Sequence, residues 1–210
     1  MLTPSSDDIK VTKYDLTLAA TFLVVSNIGE RYLLNTDLMD QRWQKVALAT
    51  LIGFAAHGLL TNKLSTFIND KFKIVSSSSK AAVYDIVKYS TVFVCQQALV
   101  QYMDEKPIDL SDVKWQLVSA LVIAGFVLFQ LFIKDVLPKV GENQPLLDDL
   151  VKISMGTLLA AHFAQGGVNE RNLKSLAALL AGYAVFHLYT KKFVVAAPVS
   201  ESENVVTKTA

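Results

Sequence analysis

Long apolar blocks alternate with short polar connections along this chain. Six stretches contain no Asp, Glu, Lys or Arg: residues 16–29, 46–62, 89–103, 115–133, 153–169 and 175–190. The fourth has 19 residues. At about 1.5 Å of rise per residue it covers roughly 28 Å, close to the about 30 Å hydrocarbon core of a bilayer. The other blocks are shorter, but Lys45, Lys63, Lys88, Lys152 and Lys191 stand at their ends. Such side chains extend a short span by snorkelling to the headgroups. A soluble amphipathic helix carries a charged face through its middle, whereas the middles here are uncharged. The pattern predicts an all-α, polytopic membrane protein of six helices.

The blocks are self-similar in pairs. Residues Tyr84 to Ser90 and Asp148 to Ser154 open the third and fifth blocks at a constant offset of 64, each with Asp-x-x-Lys, at Asp85/Lys88 and Asp149/Lys152. The second block of each pair has a glycine and an aromatic residue at its centre: Gly53-Phe54, Gly125-Phe126 and Gly182-Tyr183. Ten residues upstream of these glycines stand Trp43, Trp115 and Asn172. Three copies of one helical hairpin are therefore expected: residues 1–75 with the N-terminal segment, 80–137 and 145–194, followed by a polar tail at 195–210. The serine run 76–79 and the proline-bounded stretch 138–145 separate them. A glycine recurring at one helical position lets another backbone approach closely, which makes Gly53, Gly125 and Gly182 candidate packing residues. Trp43 and Trp115, at the polar entries of their helices, are placed as interfacial anchors.

Composition sharpens this picture. Hydrophobic residues make up 52% and charged residues 19% of the 210, and mean hydropathy is +0.36; soluble domains carry about 25% charge. The formal charge is +1, which gives no sequence-wide attraction for phosphate, and no nucleic-acid partner is expected. The single cysteine, Cys95, sits in an apolar run and reads as a small hydrophobe. Of 20 basic residues, 13 fall on the side of the termini and 7 at the hairpin tips, so the positive-inside tendency places both termini in the cytoplasm. The N-terminus has neither a basic n-region nor an early apolar run, and no cleavable signal is expected.

Motifs that carry chemistry are sparse. There is no Gly-rich phosphate loop, HExxH, CxxC or Gly-x-Ser-x-Gly, so no catalytic residue, cofactor or metal is assigned and the chain is read as a non-enzyme. His57, His162 and His187 lie on the second, fifth and sixth blocks and form a metal or proton site only if the fold gathers them. A neutral polar stripe runs through Ser90, Gln97 and Gln101, repeated in part by Ser154 and Gln165. It suits either interhelical hydrogen bonding or the lining of a polar path. At the second tip, Ser111 and Asp112 are N-cap candidates for the helix of Trp115.

The Asp-x-x-Lys entries at Asp85 and Asp149, the Gln-bearing first helices ending near Gln101 and Gln165, and the Gly-aromatic centre followed by His187-Leu188 together carry a resemblance. Over residues 8–194 the chain resembles small multi-pass internal-membrane proteins of large icosahedral double-stranded DNA viruses. Mitochondrial-type carriers also have three hairpins, but their Pro-x-Asp/Glu-x-x-Lys/Arg signature is absent and their repeats are longer. The viral resemblance implies a non-enzymatic structural role, linking or anchoring a virion inner membrane to capsid proteins. The implied partners are the lipid bilayer and other membrane or capsid proteins, with a possible homo-oligomer; contact is expected through the termini and the lysine-rich stretch 63–80. Outside a virion, a host or cellular endomembrane is the expected location. A small channel or transporter for a neutral or small polar solute is the alternative that the polar stripe suggests.

Overall fold

The structure, a computed structural model, describes residues 6–35 and 40–190. All regular structure among these residues is helical. The helices are α1 (Ser6–Leu34), α2 (Gln41–Ala56), α3 (Asn62–Lys71), α4 (Ser77–Met103), α5 (Val113–Leu128), α6 (Gln144–Ala164) and α7 (Glu170–Val185). Wider π-turns prolong α2, α5 and α7 at His57–Thr61, Phe129–Ile133 and Phe186–Thr190. The first π-turn leads directly into α3, so six long helical rods result. The expected tail at 195–210, the end of the third hairpin and residues 1–5 lie outside the described residues.

Local chemistry fixes the helix starts. Asp40 caps α2 by accepting from the Arg42 amide, and Asp112 caps α5 by accepting from the amides of Lys114 and Trp115. Before α7, Asn169 and Asn172 form a reciprocal capping box. The asparagine aligned with the two tryptophans thus opens its helix by hydrogen bonding. The second and third tips use left-handed backbone at Glu105, Gly166 and Gly167.

The six rods close a ring in the order α1, α2, α4, α5, α6, α7 and back to α1. The closest packing joins different hairpins: α2 with α4, α5 with α6, and α7 with α1. The repeated glycines sit in these joints. A Cβ on Gly53 would lie 2.8 Å from the Val92 backbone, on Gly125 2.5 Å from the Gly156 backbone, and on Gly182 2.7 Å from the Phe22 backbone. The aromatic after each glycine, Phe54, Phe126 or Tyr183, turns into the core. There Tyr183 stacks on Phe22 at 5.0 Å, and edge contacts run on through Phe54, Tyr89 and Phe126. At the tips, Lys45 of the first hairpin donates to Asp104 at 2.6 Å and to the Met103 carbonyl of the second. That hydrogen bond holds the exposed Asp104 carboxyl below its usual range.

Two rods, α5 and α7 taken with their π-turns, are long and apolar enough to cross a membrane. Helices α1, α4 and α6 begin well upstream of the uncharged blocks and take in Asp15, Asp85, Lys88, Asp149 and Lys152. This corrects the expectation that Lys88 and Lys152 stand at the ends of their spans: each lies inside its helix, where the helix enters the core.

A methyl group on Gly125 must drive α5 away from α6, because its nearest neighbours are backbone atoms. Gly125→Ala is expected to cost about 1–3 kcal/mol in thermal unfolding of the purified protein. Leu117→Ala on the outward face of the same helix should leave the transition nearly unmoved, and equal effects would contradict the joint.

Candidate functional site

The glycine joints set a common reference point for the three units. Their partners are Phe22, Val92 and Gly156. Seven residues, two helical turns, before these partners stand Asp15, Asp85 and Asp149, and four residues before them stand Leu18, Lys88 and Lys152. Spacings of three, four and seven put all six positions on the inner face of the ring. The structure brings them together as bridges from one unit to the next. Lys88 Nζ lies 2.6 Å from Asp15 Oδ1, and Lys152 Nζ lies 3.6 Å from Asp85 Oδ1. Leu18 occupies the third lysine position, so Asp149 is served instead by Lys152 of its own helix at 3.6 Å and by His187 at 2.8 Å.

The π-turns supply a second set of partners. Each begins with a fully buried residue, His57, Phe129 or Phe186, placed four after the glycine. The next residue faces the acid of its own hairpin. Gln130 donates to Asp85 Oδ2 at 2.8 Å, and His187 Nε2 meets Asp149 Oδ2 at 2.8 Å, which makes Nε2 the protonated nitrogen against an ionised carboxylate. The first unit has Gly58 there, packed on Thr12. It offers no side-chain donor, and Asp15 Oδ2 is buried without a hydrogen-bond partner among the described residues. Aromatic faces complete the surroundings: Lys88 lies 5.4 Å from the Phe54 ring centre, 5.7 Å from Tyr84 and 5.8 Å from Tyr89, and Lys152 lies 5.8 Å from Phe126. Burying each ion costs several kcal/mol, and only close pairing with further contacts offsets this.

A polar chain lies beside this set. Thr91 donates to the Val87 carbonyl, so its oxygen accepts from Thr61, whose own oxygen accepts from His57 Nδ1 at 3.1 Å. His57 Nε2 is left buried with no partner among the described residues. His162 is exposed on α6. The three histidines therefore do not converge, and no cluster fit to hold a metal occurs among the described residues.

The other residues singled out by sequence fall as follows. Trp43 and Trp115 are half-buried in the first turns of α2 and α5, next to the tips. Ser90 and Gln97 are half-buried on α4. Gln101 clamps the second tip by donating to the Asp109 carbonyl and accepting from its amide. Ser154 donates to the Leu150 carbonyl, and exposed Gln165 accepts from Asn172. These contacts lie within single helices or hairpins, and Gln96, donating to Thr50, bridges two units. In the sequence Asp85, Lys88, Asp149 and Lys152 mark a repeat, and the two lysines also suit snorkelling ends. Their i, i+3 spacing, which aligns the two charges on one face, was the available signal for an inward role.

The chain matches no protein-family model, and comparison with curated proteins and with solved structures finds no similar one.

The arrangement pairs charge with charge across hairpins and so fixes their relative positions. Lys88→Met leaves Asp15 uncompensated and is expected to cost about 3–5 kcal/mol, with most recovered by adding Asp15→Leu. Lys45→Met, which removes the exposed tip bridge, should cost under about 1 kcal/mol. Equal losses at Lys45 and Lys88 in chemical unfolding would contradict the inner bridges. Leu18→Lys completes the third position and should raise the melting temperature of His187→Gln above that of His187→Gln alone.

Proposed function

We propose that this chain is a six-span membrane protein with a structural, non-enzymatic role, serving as a rigid body that holds a bilayer to an adjoining protein layer. The observation that carries the reading is the distribution of polarity around the ring. Ion pairs and aromatic rings fill the inside, while Val24, Leu48, Val94, Leu117, Leu128 and Phe132 stand exposed on the outside of four different rods. Water is a poor solvent for such an exterior and lipid a good one. The apolar length of α5 and α7 supports the same reading. The interior is spent on packing and pairing, which suits a scaffold. The viral resemblance extends this to a virion inner membrane and capsid partners, and the excess of basic residues beside the termini favours a cytoplasmic side for both.

One observation favours a second reading, transport: ionisable groups buried within a membrane bundle often line an ion or solute path. In alkaline carbonate extraction the protein should remain with the membranes; recovery in the supernatant would overturn the membrane reading. Liposomes containing the purified protein should hold a pH gradient and entrapped small solutes as well as empty ones do. Leakage abolished by Asp15→Asn would replace the scaffold with a transporter.

A further inference from the structure

Only the first hairpin, among the described residues, carries an extra helix beyond its π-turn. α3 (Asn62–Lys71) buries Ser65 and half-buries Ile68 and Asn69, and it packs against α4. Its opposite face bears Leu64 and Phe67, with Phe72 and Val75 following. They are 45%, 59%, 67% and 89% exposed. Leu64, Phe67 and Lys71 share a face by their spacing of three and four, and the Lys71 ammonium lies 5.8 Å over the Phe67 ring. Exposed Lys63, Lys73 and Lys80 flank them. Across residues 62–80 four lysines face one acid, Asp70, a balance of +3 in a chain whose total is +1.

The position of this face along the rod is as informative as its chemistry. The glycine joints lie near the middles of the apolar blocks. Lys63 to Lys71 follow Gly53 by 10 to 18 residues, which is roughly 15 to 27 Å along a helix. The hydrocarbon half-thickness is about 15 Å. Leu64 and Phe67 therefore fall at the acyl–headgroup boundary and the lysines at the level of the phosphates, where apolar side chains enter lipid and cations meet anionic groups.

We propose that α3 and residues 72–80 form an interfacial anchor that seats Leu64, Phe67 and Phe72 in the acyl boundary and binds anionic lipid headgroups through Lys71, Lys73 and Lys80. The anchor rests on the membrane reading and adds a lipid preference to it. It also gives the ring a fixed depth on one side, because α3 is joined to α2 through the π-turn and to α1 through the Lys63–Asp8 bridge at 3.2 Å.

The test uses the full chain with Cys95→Ser and one nitroxide label, at Phe67→Cys or, separately, at Leu128→Cys on the outward face of α5. Each protein is placed in nanodiscs of phosphatidylcholine alone or with phosphatidylserine, and collision with oxygen and with a water-soluble nickel complex reports depth. The label at 128 should be lipid-immersed in both compositions. The label at 67 should be shielded from nickel with phosphatidylserine, and the shielding should be lost in phosphatidylcholine, or when Lys71, Lys73 and Lys80 are replaced by Gln. Lipid immersion at 128 with water exposure at 67 in both discs overturns the anchor alone and leaves this face to a protein partner. Shielding at 67 that ignores lipid charge also overturns it, in favour of cover by the chain's own tail. Water exposure at 128 overturns the membrane reading and the anchor with it.

Discussion

A charge buried in a low-dielectric interior is tolerated only beside an opposite charge, and this constraint organises the bundle. Asp15 on α1 has Lys88 on α4, and Asp85 on α4 has Lys152 on α6. In each bridge the partners come from different hairpins, so neither hairpin buries its acid in isolation. The glycine joints act in the same direction from one to two turns away. They let α2, α5 and α7 approach the next unit closely enough for short side chains to meet. Close backbone contact and ion pairing therefore favour the same arrangement of the three units.

The threefold pattern is broken in a specific way. Leu18 replaces the third lysine and Gly58 replaces the π-turn donor, both in the first unit. Asp149, which loses the lysine, gains His187 from its own π-turn and shares Lys152 with Asp85. Asp15, which loses the donor, keeps the shortest of the inner bridges. Three carboxylates thus share two lysines and one histidine. The first unit also carries α3, so all three departures from symmetry fall on the same hairpin.

Much of this fold was legible in sequence. The Gly-aromatic repeat located the joints and the core aromatics, and the serine and proline stretches marked the connections. Asp112 was recognisable as a cap from its place before an apolar run. The ionic positions were harder to see, because a charged residue at the edge of an apolar block looks the same whether it faces water or a partner. Lys88 and Lys152 were read as snorkelling ends, which their side-chain length permits, but a carboxylate from the neighbouring unit holds each inward. The π-turns left no sequence signature beyond the buried residue four after each glycine. Residues 36–39 and 191–210, which include the expected tail at 195–210, lie outside what the structure describes.

Six rods close into one ring within a single chain, so that the first helix meets the last. A Cβ on Gly29 of α1 would stand 2.9 Å from the Cβ of Ala178 of α7, close enough for a disulfide after a small outward adjustment. In a Cys95→Ser background, Gly29→Cys with Ala178→Cys should oxidise to an intramolecular disulfide. It would appear as a faster-migrating monomer that reverts on reduction. Free thiols after oxidation, or bridged dimers in place of the compact monomer, would contradict closure of the ring.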